Sequence, residues 1–498
     1  MTTYYVDSAT GSDGNNGLTP GAAKATINAA AALTNAGDTV IIAPGNGYGG
    51  GTGGSPIVTI SRSGSAGNPI TYTGDTTLAT RPVITTGRGY QVVLINANYI
   101  NWNYTEISGT GNGCTLAAAY DFIWAGGGSS QYENVGIGAN GTAGTPAHHI
   151  NITNNYVHDM PNSGISSLWA DYVTVDRNIV VANAFYSYVA GSGISVGFSK
   201  PVDGVTTAKI FVTSNICYNN NNLVVFDVNN GITTASGTSN SGQNVLTVAS
   251  TTNFSAGTFV YNSTRASITN GTYVLSVGAG SLTLSANLVA QSLNGDHIVG
   301  GDFSDGEGII IDTNTDTGGV GAYTGRTVVQ NNLCFNNGSG GVYITRSSHC
   351  DVNFNTCWQN QQGFSRNDNT HSIFIGSIGL FVSTSSADNN VYNNIVVSPS
   401  WGPCIKNAGS TTTFSTNLGN GGDGTALPGS GNTTTAPTFF NASTNPAIAN
   451  FRLTNSSAGV NAASGTYTRT TDIQKRKGQI GSASDLGCYE GRLISICM

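Results

Sequence analysis

Apolar and polar positions along the chain fall into short alternating runs rather than helical stripes, and the runs repeat. Residues 328–364, "VVQNNLCFNNGSGGVYITRSSHCDVNFNTCWQNQQGF", use one phrase twice: an apolar run, an Asn, a small apolar pair, a polar turn, then a Gly and a second run. Asn155, Asn178, Asn215, Asn332, Asn355 and Asn394 each open such a phrase: NYV, NIV, NIC, NLC, NTC and NIV. The shortest intervals, Asn155 to Asn178 and Asn332 to Asn355, are both 23 residues. The 37 residues from Asn178 to Asn215 read as one such turn carrying a 14-residue loop. Period-2 alternation marks strands, and a repeat of roughly 20–50 residues built from them marks a solenoid.

One turn cannot bury its apolar face alone, but stacked turns share a core, with strands about 4.8 Å apart. The second position after each Asn is Val157, Val180, Cys217, Cys334, Cys357 and Val396, a column of small apolar side chains expected to point inward. The Asn column predicts a ladder of side-chain amides along the stack, satisfying buried turn groups. Cys217, Cys334 and Cys357 read as packed core thiols, in keeping with the burial habit of free Cys.

These phrases resemble the right-handed parallel β-helix of pectate-lyase-like proteins. The N-terminus, "TYYVDSATGSDGNNGLTPGAAKATINAAAALTNAGDTVIIAPG", is similar to the opening block of such helices, with an Ala-rich amphipathic segment (24–35) expected to cap the open end of the stack. Near the other end, "DIQKRKGQIGSASDLGCYE" resembles their closing block. The resemblance spans most of 1–230 and 300–490 and implies an all-β solenoid. It does not specify activity, because β-helices host lyases, hydrolases, epimerases and inert adhesins. The expected organisation is a cap and first coil (1–50), coils (51–234), an inserted small β module (235–300), further coils (301–409), and an irregular wrap, closing block and tail (410–498). The insert alternates in strand fashion without an Asn phrase and looks like small β modules of phage tail and capsid proteins.

Composition fits short strands joined by polar turns: 68 glycines, and only 9% charged residues against roughly a quarter in an ordinary domain. The net charge of −7 without a basic tract argues against nucleic acid or an anionic membrane surface as partner. No apolar run reaches the roughly 18 residues of a membrane span, and the first residues show no secretory signal pattern. A protein of this fold style without such a signal is expected to leave its cell by lysis. The eight cysteines include no CxxC pair, so a zinc ribbon is not expected.

Candidate chemistry follows from the second strand of each turn, led by Gly164, Gly193, Asn222, Gly308, Gly341 and Gly363. Just past these strands one exposed column is predicted, to within one residue, to hold Trp169, Phe198, Asp227, Asp312, Arg346 and Asp368. Aromatic faces stack on sugar rings and charged groups act at a scissile link, so Trp169, Phe198 and Asp368 are glycan-binding candidates. Asp312, Asp227, Arg346 and Glu307 are catalytic candidates. In "GDFSDGEGIIID", Asp302, Asp305, Glu307 and Asp312 crowd together, with Asp316 close behind. Crowding raises at least one carboxyl pKa, which suits a general acid. Alternatively Asp302, Asp305 and Glu307 bind calcium, which accepts irregular oxygen ligation. In many β-helix lyases such an ion neutralises a uronate while Arg or Lys takes the α-proton; Arg326 or Arg346 is the matching candidate here. Hydrolysis would instead use a carboxylate pair. Bland alternatives remain: the acids solvate the junction of the insert, or hold calcium structurally. Two patterns are expected to be coincidental. His149 and His349 share a column but lie several turns apart, and Arg326, Arg346 and Arg366 recur out of step with the coil.

Cys488 and Cys497, on an expected exposed tail, are candidates for interchain disulfides in an oxidising medium. The reading that unites these features is a virion-surface protein of a tailed phage (tailspike, collar or capsid decoration) that engages polysaccharide, contacts other virion proteins and forms a homotrimer. The alternative is a polysaccharide lyase or glycoside hydrolase, phage-borne or secreted. The small number of basic residues counts against a cleft for polyuronates.

Overall fold

The structure, a computed structural model, describes residues 1–49, 55–85, 91–109, 113–127, 131–189, 191–226, 231–315, 322–363, 380–382, 386–400, 403–407, 409–464 and 469–491. Among these residues three parallel sheets run the length of the stack: sheet A with eleven strands, sheets B and C with nine each. A representative coil sends Ala147–Thr153 to sheet A, Tyr156–His158 to sheet B and Ile165–Leu168 to sheet C. Ala170–Asp176 then returns to sheet A and pairs in parallel with Ala147–Thr153. This is the parallel β-helix that the repeat predicts.

Alternation along each strand sends one row inward. In sheet A that row includes Trp102, Ile152, Val175, Val212, Val329, Val352 and Val391, all fully buried. In sheet B it is Val157, Val180, Cys217, Cys334, Cys357 and Val396, the column the phrases predict.

The Asn column forms the expected ladder. Each Nδ2 donates to the Oδ1 of the Asn one coil on, from Asn155 through Asn178, Asn215, Asn332, Asn355 and Asn394 to Asn417, at 2.9–3.1 Å. Each Oδ1 also accepts the backbone N–H of the preceding rung, as Asn332 does from Asn215 at 2.9 Å. A second ladder lies five residues further along each coil, through Asn183, Asn220, Asn337 and Asn360. Against it pack the glycines that lead sheet C. A Cβ on Gly308 would stand 2.8 Å from Gly341 O and 3.0 Å from both Asn337 Nδ2 and Cys334 Sγ. Only a residue without a side chain fits there.

The coils ignore the insert. Ile194–Gly197 pairs directly with Ile309–Asp312 in sheet C, and Cys217 lies beside Cys334 in sheet B. Between them, 231–301 fold into two three-stranded antiparallel sheets with their own core of Leu246, Val260, Leu282 and Ile298. The module docks on helix α2 (Leu116–Trp124), where Tyr120 stacks on Tyr261 with ring centroids 4.6 Å apart. Helix α1 (Ile27–Ala31) is shorter than the predicted 24–35, because Pro20–Ala22 forms a separate 3₁₀ turn and Lys24 bridges to Val6. It buries Ile27, Ala30 and Ala31 in the main core.

The C-terminal wrap covers part of sheet B, with Phe451, Ile473 and Cys488 packed on Leu333 and Phe335. Arg469, itself buried, pairs with Glu490 at 2.8 Å and pins the closing block. This corrects the expectation for Cys488. It is fully buried, not on an exposed tail, and its N–H donates to Thr356 Oγ1 at 3.1 Å. Burial pushes its thiol up to about 12. The seven described cysteines are all buried; Cys497 lies outside the described residues. No described helix is long and apolar enough to cross a membrane.

Candidate functional site

The outer face of sheet C carries small residues in its middle coils: Gly138, Ser166 and Ser195 lie side by side, followed by Ile310. Larger side chains flank these small ones: Leu94 and Ile310 in the same row, and Leu168 at the strand end. A groove results, forming a cleft of ≈ 280 Å³ whose lining includes Glu133, Asp305, Asp312, Phe198 and Gln91. Gly138 leaves the room that the Gln91 amide occupies: a Cβ there would meet the amide at 2.7 Å and displace it. Gln91 Oε1 is buried and, among the described residues, has no hydrogen-bond partner, which suits a ligand hydroxyl.

One side of the cleft is built from turns entering sheet C. Glu133 is 1% exposed, and its Oε2 accepts from Asn162 Nδ2 at 3.0 Å and Ser187 Oγ at 3.1 Å. Asp305 is partly buried and accepts from Ser304 Oγ at 2.9 Å. Burial, reinforced by the charges of Glu307 and Asp312, holds the Asp305 carboxyl well above the usual carboxylate range. Glu307 lies behind it, 2% exposed, accepting from Ser192 Oγ at 2.7 Å; burial raises its pKa too.

The other side is built where strands leave the sheet. Asp312 accepts a two-pronged bond from Arg346, Nε to Oδ1 at 3.1 Å and Nη2 to Oδ2 at 2.9 Å, with Thr313 Oγ1 donating to Oδ1 at 2.8 Å. Such a two-pronged pair fixes the orientation of both groups. Trp169 and Phe198, on adjacent coils, stack with centroids 5.1 Å apart and planes at 21°. The cleft thus places a carboxyl biased toward its neutral form across from one matched by a guanidinium, beside an aromatic rim. Opposed environments of this kind divide acid and base roles between carboxyl groups.

The predicted column needs correction in detail. Its occupants are Trp169, Phe198, Thr313 and Arg346, all at positive φ (48°, 51°, 53° and 44°). Asp312 stands one residue earlier, within the strand, between Gly197 and Thr345. The strands either side of the insert pair directly in sheet C, and Val224 and Val225 pack with the module and α2. Asp227 itself, with Asp368, Asp316 and Arg366, lies outside the described residues.

Among the described residues no group of three or more Asp, Glu, His or Cys side chains is placed to hold a metal ion. Asp305 lines the cleft while Glu307 turns inward to Ser192. Arg346 is committed to Asp312, and Arg326 belongs to sheet A, bonded to Asp351 and Asp388 at 2.9 and 3.0 Å. His149 and His349 do occupy matching turn positions, four strands apart in sheet A, roughly 19 Å. Glu133 and Gln91 were not foreseen. The available signal was "ENVGIGAN", whose Gly136-Ile137 matches Gly164-Ile165 and Gly193-Ile194 and marks another coil of sheet C.

No protein-family model matches the chain, and no curated protein matches its sequence. Among solved structures, pectate lyase Pel9A aligns with TM-score 0.51 and 15% identity over 99% of this chain and 97% of its own. The GH136 lacto-N-biosidase of Eubacterium ramulus aligns at 0.44 and 13% identity, over 84% of this chain and 56% of its own. ORF18 of Geobacillus virus E2 aligns at 0.35 and 9% identity, over 80% and 52%. Only the first exceeds 0.5, and at that identity it speaks to fold: the chain is a parallel β-helix of pectate-lyase-like architecture.

Proposed function

We propose that the sheet C cleft binds a polysaccharide and hydrolyses it, and that the protein does so on the surface of a tailed-phage virion. The observation that carries the reading is the convergence, in one concave site, of the Trp169–Phe198 stack with Asp305 and Asp312 in opposed electrostatic environments. Asp305, biased toward its protonated form, donates the proton to the leaving oxygen. Asp312 or Glu133 stabilises positive charge on the sugar or activates its attacker. Hydrolysis is preferred to β-elimination because no Lys or Arg is among the described residues lining the cleft. The virion setting rests on the sequence features alone, as do the trimer and the contacts with other virion proteins.

The test is to incubate the protein with host-surface polysaccharides and with galacturonan, reading reducing ends and the ultraviolet absorbance of unsaturated ends separately. New reducing ends without that absorbance, lost in Asp305→Asn, support hydrolysis. Unsaturated products would replace it with a lyase. Binding without cleavage that is lost in Trp169→Ala would leave an adhesin. Mass spectrometry of purified virions tests the location; absence from the particle overturns it.

A further inference from the structure

We propose that a second cleft, on the outer face of sheet A, is a separate saccharide-binding site that takes a neutral sugar segment. The cavity measures ≈ 480 Å³ and is lined by Tyr99, His149, Tyr172, Asn151, Thr174 and Phe211 among others. It lies across a turn from the carboxylate cleft, since Ile165–Leu168 ends in sheet C and Ala170–Asp176 begins in sheet A.

Three coils in succession spend backbone strain here. Tyr99, His149 and Tyr172 sit at φ 57°, 57° and 51°, a left-handed region costly for bulky residues, by about 1–3 kcal/mol each. The turn between sheets A and B adopts the same conformation with mixed residues, among them Tyr104, Asn154, Arg177, Ser214 and Phe354, so what distinguishes the sheet A turn is its run of three rings on adjacent coils. The rings form a continuous stack, with centroids 4.4 Å apart at both steps.

The stack is anchored from behind. Lys209 is buried, with Nζ 2.6 Å from Asp171 Oδ2, 2.9 Å from Asp203 Oδ1 and 4.7 Å from the Tyr172 ring centroid. Tyr172 donates to Asp203 at 2.8 Å and Tyr323 to Asp171 at 2.7 Å. Lys209 also lines the cavity, but its ammonium is matched by two carboxylates, which leaves no uncompensated cation for an acidic sugar. Burial holds the His149 imidazole below its ordinary range, so the stack is uncharged at neutral pH.

The floor supplies open hydrogen-bonding groups. Asn151 Nδ2 donates to Asn101 Oδ1 at 2.8 Å and Asn101 Nδ2 to Thr71 Oγ1 at 3.1 Å, a chain running away from the cleft. Among the described residues no hydrogen bond reaches Asn151 Oδ1 or Thr174 Oγ1, which lie side by side in register. Rigid aromatic walls around free amide and hydroxyl groups, without net positive charge, suit sugar hydroxyls and ring C–H groups.

The experiment is calorimetric titration with cellohexaose, maltohexaose and mannohexaose, with trigalacturonate as the acidic comparator. It uses wild type, Trp169→Ala, Asn151→Ala and Phe211→Ala, with melting checked for each. The expected result is a neutral hexasaccharide that still binds Trp169→Ala and binds Asn151→Ala or Phe211→Ala about tenfold more weakly. Thr174→Val is a further variant should Phe211→Ala melt early. Binding in wild type that vanishes in Trp169→Ala and ignores the sheet A variants overturns this site while leaving the first standing. Sensitivity to the sheet A variants alone supports it and counts against the first. No binding to any of the sugars in Trp169→Ala, or tighter binding of trigalacturonate at sheet A, also overturns it.

Discussion

Truncating Asn332 to alanine isolates what the amide ladder contributes. The side chain is fully buried and makes four hydrogen bonds. Nδ2 donates to Val212 O at 2.8 Å and Asn355 Oδ1 at 2.9 Å; Oδ1 accepts from Asn215 N at 2.9 Å and Asn215 Nδ2 at 3.0 Å. After truncation Asn215 Nδ2 keeps Val175 O and Asn355 Oδ1 keeps the Asn332 N–H. The Asn215 N–H keeps nothing. A buried orphan donor costs about 1–3 kcal/mol, and the other lost bonds roughly 0.5–1.5 kcal/mol apiece before relaxation. The expected loss is about 3–5 kcal/mol. Asn432, at the end of the ladder and partly exposed, accepts from Asn417 N and donates to Pro428 O, both at 2.9 Å. Water replaces those bonds, so Asn432→Ala should cost about 1 kcal/mol or less. Equilibrium unfolding in guanidinium, followed by circular dichroism, measures both. Losses equal within about 0.5 kcal/mol would refute the ladder argument.

Asp305→Asn should stabilise while it inactivates. The folded carboxyl is held above its usual range, so its protonated form contributes stability that is complete below about pH 4 and lost as pH rises through the folded value. The variant should therefore melt with wild type in acid and a few degrees above it at neutral pH; a lower neutral melting temperature would count against the burial argument. Gly308→Ala should cost about 1–3 kcal/mol through its 2.8 Å approach to Gly341 O. Gly144→Ala, with nothing within 4 Å, should be neutral by the same unfolding assay. Cys217, Cys334, Cys357 and Cys488 should resist a thiol reagent in the native protein and react fully in denaturant, read by peptide mapping. Native labelling of Cys488 would return it to the surface.

The coil was legible because its constraints recur. Asn155 through Asn394 must repeat at one place per turn or the amides lose their partners, and the inward valines and cysteines follow in step. The second ladder was equally visible in NIVVAN, NICYNN, NLCFNN and NTCWQN, but its Asn lies among other polar turn residues and does not stand out. The site was legible only in outline. Counting five from each leading glycine gives Trp169, Phe198, Thr313 and Arg346; counting four from Gly308 made Asp312 a member of the column. The insert interrupts the chain without interrupting the sheet, so the period does not carry across it. Glu133 lies in a short turn ahead of its strand and Gln91 opens a strand in a coil without an Asn phrase, so the Asn period does not point to either. Cys488 depends on how the wrap folds back, which no local pattern records.

The direct pairing across the insert also sets a timetable for synthesis. Strand Ile216–Tyr218 is completed by Leu333–Phe335, whose Asn lies 117 residues after Asn215. At about 5–20 residues per second, the nascent stack waits roughly 6–23 s with an open parallel edge and Cys217 uncovered. During that pause the antiparallel module, whose contacts are local, has time to form first. The stage most exposed to misassembly is therefore fixed by the length of the excursion, and shortening the module would shorten the time an unfinished edge is on offer to another chain.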